Sequence, residues 1–255
     1  MIKNNMDKSK SENAAILIIG NEILSGRTQD LNFSYIVRAL SDYGVSVLEC
    51  RTILDDKNEI ISSINTLRKK YKYVFTTGGI GPTHDDITSE SIAEAFGVKI
   101  ETSEEAYNIL ENYYNKNNYE FNEVRQRMAR IPIGAELILN NISAAPGFKI
   151  DNVFVFAGIP KIMQSMLQES LKYINPQKKI NRANIQVKVP EGEIAKILEK
   201  IIKTYSDIDI GSYPFFDSKK DFGVNIELSS KNKLSLEKAI SYLKVQLSEE
   251  SIKYK

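Results

Sequence analysis

The sequence predicts an α/β protein with a doubly wound, mainly parallel sheet, followed by a small α+β domain. Between residues 14 and 178, apolar segments that end in glycine-rich or polar loops alternate with amphipathic helices. Parallel strands that are covered by helices on both faces have this composition. From residue 183 the order changes to β-α-β-β-α, which predicts a separate domain over residues 183–255.

The first half of the large domain shows the alternation most clearly. AAILIIG (14–20) is a continuous apolar segment that ends in glycine, and VSVLECRTIL (45–54) is the next strand. Between them, apolar residues recur at helical spacing, with Asp30 as the expected N-cap and Gly44 where the helix ends. A second helix with one apolar face follows Asp56.

The second half continues the pattern with longer connections. YVFTT (73–77) is the third strand and leads directly into the sequence GGIG. Residues 103–130 are predicted to be helical, and residues 135–139 and 153–158 to be strands. Pro160 stands at the expected start of the last helix, a position where proline is tolerated.

Composition excludes several classes of protein. The 255 residues carry a formal net charge of +1, which gives no electrostatic reason to expect binding to nucleic acid or to a membrane surface. No apolar segment is long enough to span a bilayer. Residues 1–13 lack the apolar region of a secretory signal and are expected to be a disordered tail. With Cys50 as the single cysteine, we expect a cytoplasmic protein.

The polar segments that follow three successive strands predict the functional site. They are residues 20–32, the pair Asp55–Asp56 and residues 75–90. Ligands of open α/β sheets bind outside the carboxyl ends of the strands, where these segments would converge.

The glycines after the third strand predict a phosphate cradle. Gly78, Gly79, Gly81 and Thr83 would let the backbone N–H groups approach a diphosphate closely. A plain turn is the competing interpretation of such a glycine-rich segment. The chain has no GxxxxGK[ST] sequence and no GxGxxG after its first strand, which excludes a P-loop NTPase and leaves dinucleotide hydride chemistry without support.

The adjacent carboxylates of Asp85 and Asp86 predict a metal site beside that cradle. Carboxylates would repel a phosphate unless a cation lies between them, and Mg²⁺ is held by one or two carboxylates plus phosphate oxygens. We therefore expect a divalent cation, Mg²⁺, Mn²⁺ or Co²⁺. Helix capping is the competing role for adjacent aspartates, and His84 is expected to face solvent or to act indirectly.

Five segments in this order resemble a known family: IIGNEILSGRTQDLN, ILDD, TTGGIGPTHDDIT, SAAPGF and FAGIP. They resemble the molybdopterin-binding-like fold and, within it, the short form of the competence/damage-inducible protein A family. The domain attached to eukaryotic FAD synthase is similar too. The resemblance covers nearly the whole chain.

The resemblance implies an activity and assigns residues to it. Damage-inducible relatives are linked to hydrolysis of ADP-ribose to AMP and ribose 5-phosphate with a divalent cation. The resemblance places the catalytic carboxylates at Asp55 and Asp86. The expected ligand-binding residues outside the glycine segment are Ser25, Gly26, Asn32, Pro146 and Gly147. Long relatives also carry an amidohydrolase domain, which we do not expect after residue 255.

Two alternatives remain open at this point. The first is molybdopterin binding or adenylyl transfer in molybdenum cofactor biosynthesis, and the second is binding of a nucleotide metabolite without catalysis. The expected partner is a small-molecule nucleotide, with a homo-oligomer, a dimer first, as the expected assembly. The β-α-β-β-α order of residues 183–255 is similar to the RNA-binding KH module, but the segment contains no GxxG loop, so we expect no RNA binding.

Overall fold

A computed structural model describes residues 12–176, 179–218 and 221–255, which form two compact units that divide between Gln177 and Lys178. Most of the expected tail, residues 1–11, lies outside the described residues, and the first strand begins at Asn13. Each unit is described by itself. No helix within the described residues is long and apolar enough to cross a membrane.

The first unit contains eight strands and seven α-helices within its described residues. The strands are β1 (Asn13–Ile19), β2 (Ser46–Ile53), β3 (Tyr73–Thr77), β4 (Ile100–Thr102), β5 (Arg130–Pro132), β6 (Glu136–Ile138), β7 (Gly147–Ile150) and β8 (Val153–Phe156). The helices are α1 (Asn21–Leu24), α2 (Asn32–Asp42), α3 (Lys57–Lys70), α4 (Thr88–Phe96), α5 (Glu104–Lys116), α6 (Glu123–Gln126) and α7 (Pro160–Ser170).

Six of these strands form one sheet in the order β2-β1-β3-β8-β7-β6. The first four are parallel to one another, and β7 and β6 are antiparallel additions at one side. The predicted doubly wound, mainly parallel sheet is therefore confirmed. β4 and β5 form a separate two-stranded sheet.

The central strands are buried on both faces, which explains their continuous apolar sequences. Alternate residues of β3 enter different cores: Val74 packs with Ile64 and Ile92 on one face, and Phe75 packs with Ile36 and other residues on the opposite face. Helices on both sides of the sheet exclude water from these strands.

Two parts of the first unit differ from the sequence prediction. β7 was expected to be part of a connection, but it pairs with β8 through a tight turn at Asp151, whose φ of 52° is unusual for a residue other than glycine. The segment 103–130 is not continuously helical. α5 ends at Lys116, and Asn118 adopts a left-handed φ of 57°, which an α-helix cannot contain.

The second unit has the predicted β-α-β-β-α order. Its elements are β9 (Asn181–Val187), α8 (Glu191–Thr204), β10 (Asp209–Ser218), β11 (Asp221–Ser230) and α9 (Lys233–Glu249). The strands form an antiparallel sheet in the order β10-β11-β9. One apolar core, which includes Ile194 and Leu243, lies between this sheet and the two helices.

Candidate functional site

A cavity of about 610 Å³ opens at the carboxyl ends of the parallel strands. Its size is in the range of small-molecule sites, which measure roughly 300–1,000 Å³. The lining combines strand-end loops with residues from more distant segments. Its members are Ile19, Gly20, Glu22, Thr28, Asp55, Gly78, Gly79, Ile80, Gly81, Pro82, Asp85, Asp86, Tyr114, Met128, Ser143, Ala145, Ala157, Gly158, Ile159, Pro160, Ile162 and Met166.

The turn after β3 requires glycine at two successive positions. Gly78 has a φ of 105°, and a Cβ there would lie 2.0 Å from the carbonyl oxygen of Ile19. Gly79 has a φ of 68°, and its Cβ would lie 2.2 Å from Oγ1 of Thr88. The two glycines therefore bring the turn against the end of β1 and the start of α4, and both line the pocket.

Asp55 joins the ends of β1 and β2. Its Oδ2 accepts a hydrogen bond from the backbone N–H of Asn21 at 2.8 Å, and its own N–H donates to Oδ1 of Asn21 at 3.3 Å. The neighbouring Asp56 instead caps α3 by accepting from the N–H groups of Asn58 and Glu59. Two adjacent aspartates thus have different roles, and only Asp55 lines the pocket.

Asp86 closes the loop that leads into α4. Its Oδ2 accepts from the backbone N–H of Thr83 at 2.8 Å and from the Thr83 hydroxyl at 2.6 Å. Gly81 leaves the necessary space, because a Cβ there would lie 2.6 Å from the same oxygen. His84 is almost fully exposed, and its Nδ1 lies 3.9 Å from Oδ1 of Asp85.

The electrostatics of the pocket are one-sided. Burial raises the pKa of the Asp55 carboxyl, and the charges of Glu22, Asp85 and Asp86 raise it further. Those four acids all line the pocket, and no Lys or Arg within the described part of the chain is among its lining residues. A phosphate that entered alone would therefore meet uncompensated negative charge.

The donor set fits a divalent cation only in part. Within the described ranges, no group of three or more His, Cys, Asp and Glu side chains is placed to hold a metal ion. Asp86 already accepts two hydrogen bonds from Thr83, and Asp85 is more than half exposed. Mg²⁺ needs only one or two carboxylates when phosphate oxygens and water complete its octahedron. A cation in this pocket would therefore need ligands from a phosphate or from water besides these carboxylates.

Several residues expected at the site lie beside the pocket and do not line it. Asn32 is buried, and its Nδ2 donates to the carbonyl oxygen of Gly158 at 2.8 Å, which ties α2 to a loop that does line the cavity. The Ser25 hydroxyl accepts a hydrogen bond from Nε of Arg27 on the surface. The predicted residues outside the lining are Ser25, Gly26, Asn32, Thr83, Pro146 and Gly147.

Gly147 has a structural reason to be glycine. It is the first residue of β7, and a Cβ at this position would lie 2.4 Å from the carbonyl oxygen of Val155. The loop that precedes it contributes Ser143 and Ala145 to the pocket instead.

Two residues that line the pocket were not expected from the sequence. Tyr114 of α5 and Met128 of the short 3₁₀ helix that follows α6 reach the cavity from the segment 103–130. The Tyr-rich composition of α5 was the available signal, but no motif connects it with the strand ends.

Comparison with known proteins agrees with this architecture. Residues 15–176 match the family model described as "Probable molybdopterin binding domain", and residues 179–255 match "FAD synthase, middle domain". A protein of Archaeoglobus fulgidus is 33% identical over 88% of this chain and 93% of its own length. A protein of Sulfurisphaera tokodaii is 33% identical over 94% of this chain and 95% of its own.

A solved structure is similar to this chain over a length that corresponds to the first unit. The crystal structure of the protein CinA, with unknown function, from Thermoplasma acidophilum matches with a TM-score of 0.60 and 31% identity. The match covers 65% of this chain and 99% of that protein. On both the sequence and the structural match, the chain belongs to the probable molybdopterin binding domain family and, within it, to the CinA-type proteins.

Proposed function

We propose that the pocket binds a phosphate-bearing pterin of the molybdopterin kind together with a divalent cation, as a step of molybdenum cofactor biosynthesis. The observation that carries this proposal is the combination of a glycine turn with four carboxylates and, among the residues that the structure describes, no lining Lys or Arg. The family match favours this pterin alternative over the ADP-ribose hydrolysis that the sequence resemblance implies.

The charges of the pocket explain why a cation is part of the proposal. A phosphate beside Glu22, Asp55, Asp85 and Asp86 would be repelled. A cation placed between these carboxylates and the phosphate would attract both groups. Asp85 and Asp86 are the residues that would hold the cation, since they lie in the loop next to the glycine turn. The cation would supply neutralisation of phosphate charge, and the backbone N–H of Gly79 would orient the phosphate, whereas that of Gly78 donates to the carbonyl oxygen of Phe156 at 3.0 Å.

Equilibrium binding of molybdopterin to the purified chain tests this proposal. We expect saturable binding by calorimetry in the presence of Mg²⁺ and its loss in excess chelator. Undiminished binding in chelator would contradict the role of the cation, and absence of binding under both conditions would contradict the pterin assignment.

A second candidate function is hydrolysis of a nucleotide-sugar diphosphate, with ADP-ribose as the first substrate to test. The observation that favours it is Asp55, which is held at the pocket by Asn21 and has a raised pKa. A carboxylate with a raised pKa is a better proton acceptor than an ordinary one. In this reaction a water oxygen attacks one phosphorus, Asp55 accepts the water proton, and the bond to the bridging oxygen breaks to release AMP and ribose 5-phosphate.

Product analysis separates the two candidates. The hydrolase predicts AMP from ADP-ribose in the presence of Mg²⁺, Mn²⁺ or Co²⁺, and its loss in the folded variant Asp55→Asn. Tight binding of ADP-ribose without release of AMP at any of these cations would rule out hydrolysis and leave a binding protein.

A further inference from the structure

The two edges of the six-stranded sheet differ in length. At one edge, β6 (Glu136–Ile138) has 3 residues, whereas at the other edge β2 (Ser46–Ile53) has 8. Among the described strands, β2 pairs with β1 alone, so the outer row of its backbone N–H and C=O groups has no strand partner. A long edge strand is a template for pairing with another chain, and proteins usually keep such edges short or cover them.

The edges of the second unit show how this chain manages the same problem. Lys255 exchanges two backbone hydrogen bonds with Gln186, at 2.9 and 3.1 Å, so the end of the chain lies along β9. At the opposite edge, β10 contains Pro214, which lacks the N–H that pairing needs. β2 contains no proline, and within the described ranges no segment covers its outer side with such hydrogen bonds.

A β-bulge limits pairing at the amino-terminal end of β2. Val47 lies opposite Ala14 and Glu49 lies opposite Ala15, so Leu48 is an extra residue in the strand. A bulge at an edge hinders pairing across it. The register with β1 is regular from Glu49 to the end of the strand, which is therefore the part that can accept a new neighbour.

The charges of this regular part select the partner. Nε of Arg51 donates to Oε1 of Glu49 at 2.7 Å, and the other guanidinium nitrogens of Arg51 make no hydrogen bond to a described residue. An antiparallel pair of β2 strands about a two-fold axis at Cys50 would place Glu49 of each copy opposite Arg51 of the other. An axis at residue 49 or 51 would place like charges opposite each other, which opposes pairing.

We propose that β2 pairs antiparallel with β2 of a second copy of this chain, about a two-fold axis that passes through Cys50. The alternating charges are self-complementary under that axis, as a symmetric dimer interface requires. The same charges oppose pairing with a strand that does not repeat the alternation, so the edge selects its own copy. Leu48, which is 62% exposed, lies opposite Thr52 of the other copy and is covered by it. The dimer does not depend on the ligand of the strand-end pocket.

Oxidation of the single cysteine tests the position of the axis. Residues directly opposite in an antiparallel pair have Cα atoms about 4.5 or 5.5 Å apart, and a disulfide spans roughly 4.4–6.8 Å. We expect the purified full chain to be a dimer by sedimentation equilibrium. Copper phenanthroline and dissolved oxygen, which take up the two electrons, should join the two Cys50 thiols into a covalent dimer on a non-reducing gel.

A second pair of thiols makes the result independent of the reactivity of Cys50. In the Cys50→Ser background, Leu48→Cys and Thr52→Cys chains are co-expressed with different tags and oxidised. The proposed register places positions 48 and 52 opposite each other, so the mixed dimer should become covalent. Either variant alone should not, because its two thiols lie four residues apart along the strands, about 13 Å.

A lysine on the edge should separate the copies. Leu48→Lys places a charge beside the new pair of strands, and we expect it to raise the dissociation constant of the dimer at least about tenfold. The matched control is Leu234→Lys in α9, where the leucine is 70% exposed and lies far from β2 in the sequence. The control should leave the dissociation constant unchanged, and circular dichroism should show both variants folded.

Three results would overturn the proposal. The first is a chain that is monomeric at every concentration tested. The second is a dimer in which neither pair of thiols becomes covalent. The third is a dimer that Leu234→Lys weakens as much as Leu48→Lys does, because the effect would then not belong to the edge of the sheet.

Discussion

In the amino-terminal half of β2, Glu49 is surrounded by donors, whereas at the carboxyl ends of the parallel strands four carboxylates share a pocket without a lining Lys or Arg in the described chain. Glu49 accepts hydrogen bonds from Arg51 at 2.7 Å, Lys70 at 2.8 Å and the hydroxyl of Tyr71 at 2.6 Å. Lys70 and Tyr71 lower the pKa of Glu49 most, followed by Arg51, to about 2.

Asp55, at the other end of the same strand, has a pKa that shifts in the opposite direction. Paired acids such as Glu49 tie β2 to the end of α3 and stabilise the sheet. Asp55 gains no cationic partner, and the negative charges of Glu22, Asp85 and Asp86 add to the effect of burial on its pKa, a cost that a bound cation would remove. Acidic residues in one sheet can therefore be assigned to structure or to ligand binding by whether their charge is already neutralised.

Removing one pocket charge should have the largest effect. Asp86→Asn keeps an oxygen that can accept from Thr83, but it removes the charge that would hold the cation. We expect Mg²⁺-dependent binding of the phosphate ligand to weaken about a hundredfold, comparable to the loss of one electrostatic contact in an active site. Calorimetry with pyrophosphate and Mg²⁺ measures the change.

The matched control is Glu49→Gln, which also converts an acid to its amide but at the paired end of the sheet. It should bind the ligand like the wild type. A folded Asp86→Asn variant with wild-type affinity would show that Asp86 serves only to accept the two hydrogen bonds from Thr83.

The glycine turn can be tested by a pair of substitutions with the same backbone strain. Gly79→Ala and Gly97→Ala both place alanine at a left-handed φ, 68° and 67°, but only the Cβ at position 79 meets a neighbour, Oγ1 of Thr88 at 2.2 Å. We expect Gly79→Ala to lose about 1–3 kcal/mol more of the free energy of unfolding than Gly97→Ala, because a buried overlap forces the structure to shift. Urea denaturation measures the free energy of unfolding of both variants. Equal losses would mean that the turn accommodates the added Cβ without further loss of stability.

The stability that Glu49 contributes to the fold should decrease in acid. The pKa of Glu49 is lowered from 4.5 to about 2, so its contribution to stability is complete above pH 4.5 and is lost as the pH falls through about 2. We expect Glu49→Gln to lower the thermal unfolding midpoint at neutral pH. The same substitution should have less effect near pH 2, where the wild-type carboxyl becomes protonated. Glu101→Gln, at an exposed residue of β4, serves as the control. A constant difference between wild type and Glu49→Gln at every pH would contradict this origin of the stability.

The sequence predicted those parts of the molecule that depend on local pattern. β1 and β3 are continuous apolar segments, and the glycines that follow β3 line the pocket because they directly follow a strand end. β7 escaped prediction because its turn at Asp151 contains no glycine and its partner is an antiparallel strand. Tyr114 lies in α5, before the chain turns at Asn118, and no spacing in the sequence connects that helix with the strand ends.

The balanced charge of the second unit predicts that this unit does not bind RNA. Residues 183–255 contain 12 lysines, 11 acidic residues and no arginine. Arg182, immediately before them, lies 3.4 Å from Glu227, and Lys203 and Lys233 lie beside glutamates on their own helices.

RNA backbone binding needs several uncompensated cations, because each phosphate contact contributes about −0.7 to the slope of log affinity against log salt for single strands. Here the acids offset nearly every lysine, and the bidentate phosphate contact that arginine makes is missing. We therefore expect the full chain to give no gel shift with single-stranded RNA at physiological salt. A shift at micromolar protein that persists there would mean that this unit binds phosphate through a surface that its balanced charge does not reveal.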